Sequence, residues 1–162
     1  MILTATSADN KLRRMALEIA ERNADRDTLL IIGIENNGLH MAKKIATYLT
    51  PIFKGNIQTL SLLINKKEPE QITLSQPINL QQQAILLVDD VANSGRTMLY
   101  ALAPLLQHYP VQIETLALVE RTHKQFPLAL NYVGLSVSTT KEENIEVIVT
   151  DGEIMGAIIK TK

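Results

Sequence analysis

The residues best suited to chemistry lie together in one run, Ala84–Thr97. An apolar, strand-like stretch ends there in two adjacent acids, Asp89 and Asp90, and small residues follow as far as a glycine. Adjacent carboxylates at the end of a strand can accept hydrogen bonds from paired hydroxyl groups, which a ribose 2,3-diol presents. A glycine that leads into a helix leaves backbone N–H groups directed at one point, where the helix dipole also favours an anion. The run therefore predicts a site for a ribose phosphate.

A plainer interpretation is that the strand ends in an ordinary helix cap and that the two aspartates are solvated. The order in which aspartates, small residues, glycine and threonine occur favours the binding site, because Ser94 and Thr97 add hydroxyl donors beside the glycine. The usual phosphate-binding patterns do not compete, since the chain contains neither G-x-x-x-x-G-K-S/T nor G-x-G-x-x-G.

The elements that position this run alternate between strands and helices. Helical spacing of apolar residues predicts a helix over residues 7–23, with Ser7 as its N-cap, and further helices that end near Leu49 and Gln107. Short apolar runs of the kind found in buried strands predict strands at Thr28–Ile32, Ile57–Ile64, Ala84–Val88 and Ile113–Val119. Two further strand-like stretches close the chain, at Glu146–Val149 and Met155–Ile159.

This alternation predicts an α/β fold with a mostly parallel, open sheet flanked by helices, in a single domain over residues 1–162. In open sheets of this kind, ligands bind at the carboxyl ends of the strands. The loops 33–38, 89–97 and 120–127 are therefore expected to meet at one edge of the sheet. The long polar segment 65–83 predicts a functional lid.

Composition narrows the range of functions. The 162 residues carry a net charge of −1, so a general attraction to nucleic acid is not built in. The absence of cysteine excludes disulfides, thiolate metal sites and cysteine nucleophiles, and the three histidines lack the spacing of a zinc site. Apolar runs are too short to span a membrane, and the N-terminus lacks the pattern of a signal peptide, so we expect a cytoplasmic protein.

The run 84–97 closely resembles the phosphoribosyl-pyrophosphate (PRPP) motif of the type I phosphoribosyltransferases. The stretches 12–19, 33–38, 119–127 and 131–141 look like the corresponding parts of the PyrR branch of that family. Proteins of this branch combine attenuation of pyrimidine operons with uracil phosphoribosyltransferase activity. The resemblance implies the type I phosphoribosyltransferase fold, including a flexible hood loop after Ile64.

The resemblance also implies a role for each matching stretch. Asp89 and Asp90 would be the catalytic pair and bind the ribose hydroxyls, and Ala92–Thr97 would cradle the 5-phosphate. The residues implied in PRPP binding are Asp89, Asp90, Val91, Ala92, Asn93, Ser94, Gly95, Arg96 and Thr97. The residues implied in the pyrophosphate loop are Glu35, Asn36, Asn37 and Gly38, and the residues implied in the hood loop are Lys66 and Lys67. The residues implied beside the base are Arg121, Tyr132 and Val133. Magnesium would bind together with PRPP, held by the pyrophosphate and diol of the substrate, and not by a set of protein ligands alone.

Two positions differ from what PyrR-like proteins usually carry, and a third differs from purine-salvage relatives. Asn37 stands where PyrR-like proteins have an arginine, and Lys66-Lys67 follow the strand where the hood has another. The loss of one cationic contact with pyrophosphate would slow turnover by about 10²-fold or more. Asn93 stands where purine-salvage relatives tend to have an aspartate, and because a neutral amide cannot act as a general base, it favours a pyrimidine over hypoxanthine or guanine.

Two hypotheses of function follow. In the first, the protein is an enzyme that converts PRPP and uracil into UMP and pyrophosphate. In the second, it is a nucleotide-sensing regulator that binds RNA, with weak or no catalysis, and a third option is a PRPP or nucleotide binder that has lost catalysis. The candidates for an RNA surface are Lys11, Arg13, Arg14, Arg22 and Arg26, although Glu18 and Glu21 dilute that helix face. A homo-oligomer, dimer or larger, is expected in each case.

Overall fold

Two sheets and three helices form the part of the chain that the computed structural model describes, residues 1–65 and 71–161. The helices are α1 (Ala5–Arg22), α2 (Asn37–Leu49) and α3 (Arg96–Leu106). The strands are β1 (Leu3–Thr4), β2 (Thr28–Ile34), β3 (Asn56–Ile64), β4 (Ile72–Leu74), β5 (Ala84–Ala92), β6 (Gln112–Arg121), β7 (Tyr132–Val137), β8 (Glu143–Thr150) and β9 (Glu153–Thr161). None of the described helices has the length and apolar character needed to cross a membrane.

The larger sheet has the strand order β4-β3-β2-β5-β6-β7. The neighbouring strands β3, β2, β5, β6 and β7 run parallel to one another, and the short β4 pairs antiparallel with β3 at one edge. The predicted α/β class with a mostly parallel sheet is therefore confirmed. Because the parallel strands end at the same edge, the loops that follow β2 and β5 lie side by side.

Hydrophobic side chains cover both faces of this sheet. In β5, Leu86 and Val88 pack in a core with α1 and α2, whereas Ile85 and Leu87 pack in a second core with α3. Successive side chains of a strand point to opposite faces, so a strand covered on both sides must be apolar throughout. This requirement explains the uninterrupted apolar runs in the sequence.

The smaller sheet is antiparallel, with the order β1-β9-β8. Each of its strands buries side chains in the same core as α1 and α2, and those of β8 are Ile145 and Val147. Both predicted strands of the C-terminal region are present and longer than expected, since β8 begins at Glu143 and β9 at Glu153. The packing fixes β8 beside the carboxyl ends of the parallel strands, because β8 contacts both β5 and β6.

Several boundaries differ from those expected. Helix α1 is capped by Thr4, whose hydroxyl accepts a hydrogen bond from the N–H of Ser7, so the prediction of Ser7 as N-cap is wrong. Strand β5 continues to Ala92, because its pairing with β6 extends past Val88, and the two aspartates lie within the strand. Strand β7 was not predicted, and the described part of the segment 65–83 contains β4.

A buried polar cluster joins α1 to the amino ends of β6 and β7. The carboxyl group of Glu114 accepts hydrogen bonds from Asn23 (2.9 Å), Gln112 (2.8 Å) and the hydroxyl of Tyr132 (2.8 Å). The guanidinium of Arg22 lies over the Tyr132 ring, 4.9 Å from its centre. Burial raises the pKa of Tyr132 above its ordinary value, and the hydrogen bond to Glu114 adds to the increase.

We predict that Tyr132→Phe lowers the free energy of unfolding by about 1–3 kcal/mol, because it leaves a buried carboxyl oxygen without its donor. Urea unfolding followed by circular dichroism measures the change. The same substitution at the exposed Tyr109 is the matched control and should alter stability by less than about 0.5 kcal/mol. Equal effects of the two substitutions would contradict a structural role for the Tyr132 hydroxyl.

The contribution of Tyr132 to the free energy of unfolding should also decrease at alkaline pH. Since its pKa is raised in the folded state, the stabilisation is fully present below the unfolded value of 10.0 and is lost as pH rises through the folded value. The stability difference between the wild type and Tyr132→Phe should be constant at neutral pH and narrow above pH 10.0. Unfolding curves at a series of pH values test this, and a difference that widens above that pH would refute it.

Candidate functional site

A cleft of about 330 Å³ opens at the carboxyl ends of β2 and β5 and is closed on one side by β8. It is lined by Ile34, Glu35, Asn36, Asn37, Asp89, Asp90, Val91, Asn93, Thr97, Ile145 and Glu146. A smaller cavity of about 130 Å³ adjoins it, within the loop between β5 and α3. The structure thus brings together the loops 33–38 and 89–97, and it adds a wall that the sequence did not indicate.

The acidic pair is oriented by the backbone around it. The Asp89 carboxylate accepts a hydrogen bond from the N–H of Asp90, and the Asp90 carboxylate accepts one from the N–H of Val91, both at 2.9 Å. The second oxygen of Asp90 accepts a hydrogen bond from the side-chain amide of Asn37 at 2.8 Å. A carboxylate offers about four acceptor positions, so these bonds orient Asp90 without exhausting its capacity to bind hydroxyl groups.

The small cavity is formed by the turn that starts α3. Gly95 has a φ of +80° and precedes the helix without a capping side chain, so the N–H groups of the first turn after Arg96 face the cavity without a side-chain cap. The loop is anchored by Ser94, whose carbonyl accepts a hydrogen bond from the N–H of Phe126 and whose hydroxyl accepts one from the N–H of Arg96. The arrangement suits an anion about the size of a phosphate group.

The loop after β2 is held against β5 by a glycine. A Cβ at Gly38 would lie 2.7 Å from the carbonyl oxygen of Val88 and 3.2 Å from the Cα of Asp89, so only glycine permits this approach. The Glu35 carboxylate accepts a hydrogen bond from the hydroxyl of Ser61, and the peptide bond between Glu35 and Asn36 is cis. The close approach of Gly38 and the hydrogen bond from Asn37 place the loop directly beside the acidic pair.

Two other predicted residues contact β8. The side-chain amide of Asn93 donates a hydrogen bond to the carbonyl of Ile145 (2.9 Å) and accepts one from its N–H (3.1 Å). The guanidinium of Arg121 donates to the carbonyl of Glu143. Arg96 points away along α3, with its guanidinium over the ring of Tyr100.

Tyr132 and Val133, which are expected beside a base, are not among the residues that line the cleft. The Tyr132 side chain is fully buried and bonded to Glu114, and the Val133 carbonyl accepts a hydrogen bond from Arg14 at 2.8 Å. Both lie where β7 begins, whereas the cleft lies at the carboxyl edge of the sheet. Lys66 and Lys67 lie outside the described residues.

Sequence reasoning missed Ile145 and Glu146, which line the cleft from β8. The only available signal was the strand-like pattern of residues 146–149, which carries no chemistry of its own. The two residues reach the cleft through the docking of one sheet on another, which a local pattern does not reveal.

The cleft is acidic. Glu35, Asp89, Asp90 and Glu146 all line it, and no lysine or arginine is among its described lining residues. Within residues 1–65 and 71–161, no group of three or more acidic or histidine side chains is placed to hold a metal ion by itself. An anionic ligand would therefore need both the N–H groups of the loop and a cation that it brings along.

Comparison with known proteins gives a consistent result. Residues 1–150 match the family model described as "Phosphoribosyl transferase domain". The chain is 32% identical to the "Bifunctional protein PyrR" of Deinococcus deserti, and the match covers 93% of this chain and 89% of the relative. It is 31% identical to the protein of the same name from Streptococcus thermophilus, and that match covers 86% of this chain and 84% of the relative. A hypoxanthine phosphoribosyltransferase of Trypanosoma cruzi has the same fold, with a TM-score of 0.82 at 14% identity, covering 99% of this chain and 95% of the other.

We predict that Gly95→Ala lowers stability by about 1–2 kcal/mol, because a residue with a Cβ is strained at positive φ. It should also reduce the increase in melting temperature that ribose 5-phosphate produces, because the loop must shift from the geometry that holds the phosphate. Gly152→Ala is the matched control, since Gly152 has the same φ of +80° in the turn between β8 and β9. If both variants retain the full ligand effect, the anion does not bind at this loop.

Proposed function

Because this chain belongs to the phosphoribosyltransferase family, we propose that it transfers the phosphoribosyl group of PRPP to uracil, which gives UMP and pyrophosphate. One observation carries the proposal: the acidic pair Asp89-Asp90 and the turn at Gly95 open into adjoining cavities that share Asp89. A ribose that carries a 5-phosphate presents a diol and an anion together, and the two parts of the site match them. The resemblance to the PyrR branch supports uracil as the acceptor.

The chemistry needs positioning more than a nucleophile. The bond between the anomeric carbon and pyrophosphate breaks, and positive charge develops on the ribose ring. The base nitrogen then bonds to that carbon and gives up its N–H proton to the departing pyrophosphate or to solvent. Asp89 and Asp90 would hold the 2- and 3-hydroxyl groups, and residues 92–97 would hold the phosphate, so that the ring is fixed while the leaving group departs. The loop 35–38 would face the departing pyrophosphate.

Magnesium ions bound to PRPP fit this site. The cleft is lined by four carboxylates, and PRPP is itself strongly anionic, so a divalent cation is needed to offset the repulsion. Asp89 and Asp90 supply the hard oxygen ligands that Mg²⁺ prefers, and the ligand's own oxygens would complete the coordination. When bound, the metal supplies charge neutralisation for the leaving pyrophosphate.

The lining of the cleft supports a position for the base beside β8. One wall of the cleft belongs to the loop after β2 and another to the loop after β5, and the remaining lining residues are Ile145 and Glu146 of β8. The acceptor would therefore face β8. The amide of Asn93 is hydrogen bonded to the backbone of Ile145 and cannot act as a general base. This supports an acceptor base whose reaction needs no aspartate at this position.

The regulatory alternative finds less support. Of the five cationic residues proposed as an RNA surface, four have partners within the protein. Arg13 is paired with Asp9, Arg14 with Glu18, Arg22 with the Asn131 carbonyl and Arg26 with the Gln112 side chain. Phosphate contacts supply most of the affinity for RNA, so partnered arginines contribute less. A gel-shift titration against pyrimidine leader RNA, with and without UMP, separates this alternative from a pure transferase.

The proposed reaction is tested by incubating the protein with PRPP, Mg²⁺ and one base at a time, followed by chromatographic detection of the nucleotide. We expect UMP from uracil and much less product from hypoxanthine or guanine. Product from a purine alone would overturn the choice of acceptor. No product from any base, with protein that is folded and binds PRPP, would overturn the transferase assignment.

We predict that Asp90→Asn weakens PRPP binding by about tenfold or more, because hydrogen bonds to a charged acceptor are worth about 1.5–3 kcal/mol. The amide is nearly isosteric with the carboxylate, so the melting temperature should change little. Calorimetry with PRPP and Mg²⁺ measures the affinity. Asp25→Asn, on the exposed loop between α1 and β2, is the control and should bind PRPP as the wild type does. Unchanged affinity of Asp90→Asn would place the diol elsewhere.

A further inference from the structure

The outer edge of β8 is held by three side chains. β8 pairs with β9 on one side only, so the N–H and C=O groups on its other side lack a strand partner. Three successive outward carbonyls, those of Glu143, Ile145 and Val147, instead accept hydrogen bonds from side chains. The donors are Arg121, Asn93 and Asn37, in that order.

The three donors come from the carboxyl ends of three different parallel strands. Arg121 is the last residue of β6, Asn93 follows β5, and Asn37 starts α2 after the loop that follows β2. The acceptors are spaced by two residues, which is the period at which the carbonyls of a strand point to one side. The side chains therefore replace the missing neighbour strand, and Asn93 does so most fully because its amide both donates and accepts, as a backbone peptide group would.

We propose that Asn37, Asn93 and Arg121 are positioning residues that dock the edge of β8 on the ends of the parallel strands and so set the wall of the cleft that the acceptor base meets. This inference rests on the proposed function for the identity of the base, but the docking itself does not. Each residue acts through β8, and none needs to touch the reacting atoms in this role.

The inference changes the meaning of Asn37. Its amide donates to the Asp90 carboxylate at 2.8 Å and to the Val147 carbonyl at 3.3 Å. An asparagine at this position therefore links the acidic pair to β8, a different task from neutralising a leaving group. Arg121 has a comparable role at the other end of the edge, where it bonds to the backbone of Glu143.

The part of β8 that forms the wall of the cleft is the backbone at Ile145 and Glu146. Ile145 has both of its backbone groups bonded to Asn93, and its side chain is buried in the core with α1 and α2. Glu146, the next residue, is exposed and lines the cleft. The loop that would bind the phosphate therefore also fixes the backbone beside the base, so that the distance between the two subsites is set by one side chain.

The docking is tested without activity by amide hydrogen exchange. The N–H of Ile145 donates to Asn93, so Asn93→Leu should raise its exchange rate by about tenfold or more, because two hydrogen bonds are lost. Asn131→Leu is the matched control, since Asn131 makes a similar side-chain bond to the backbone N–H of Thr115, at the opposite end of the sheet. Should Asn93→Leu fail to fold, Asn93→Ala is used, because it also removes both the donor and the acceptor but introduces a smaller side chain. Unchanged exchange at Ile145 would overturn the proposal.

The role in positioning is tested by steady-state kinetics. Asn93→Leu should raise the KM for the base by about tenfold and should raise the KM for PRPP clearly less, because the phosphate is held mainly by backbone groups. Arg121→Leu should act in the same direction, and Arg121→Lys, which keeps a donor for the Glu143 carbonyl, should restore most of the loss. Equal increases in both KM values would overturn the positioning role. A wild type that turns over no base would refute the transferase alone, and the exchange measurement would still decide the docking.

Discussion

Strand β5 determines where every part of the cleft lies, because it is hydrogen bonded to β2 on one side and to β6 on the other. Its side chains are completely buried as far as Val88, and the next two are aspartates. The strand stays paired with β6 as far as Ala92, so the carboxylates are presented by a rigid backbone and not by a flexible loop. A site on a paired strand holds its geometry without a ligand, which lowers the cost of binding.

Close approach of the backbone is the second requirement. The loop after β2 must come within contact distance of β5 for Asn37 to reach Asp90, and Gly38 permits this because it has no Cβ. At the other end of the acidic pair, Gly95 adopts a conformation that other residues rarely adopt and turns the chain into α3. The two glycines serve related purposes, since Gly38 brings a loop to the carboxylates and Gly95 turns the next loop into the cavity beside them.

The sequence alone predicts the parts of the fold and of the site whose signals are local. The apolar run before Asp89 and the glycine after it are adjacent in the chain, and they predict a strand, a turn and an anion site together. Ile145 escaped prediction because it meets Asn93 across 52 residues, through the packing of a second sheet. Tyr132 was placed beside the base because its stretch resembles a family sequence, but a stretch can be shared for packing as well as for binding, and here the hydroxyl is bonded in the core. The sequence alone presents Asn37 as the loss of a cation, because its two acceptors, the Asp90 carboxylate and the Val147 carbonyl, lie on different strands.

The burial of Ile145 and Val147 has a consequence for how ligands come and go. Their side chains are only 4% and 3% exposed, in the core that also holds α1 and α2. Swinging β8 outward would return both to water at a cost of about 1.5–3 kcal/mol each. Opening the cleft at β8 would therefore cost about 3–6 kcal/mol for these two side chains, and a route for ligands past the other walls of the cleft avoids that cost.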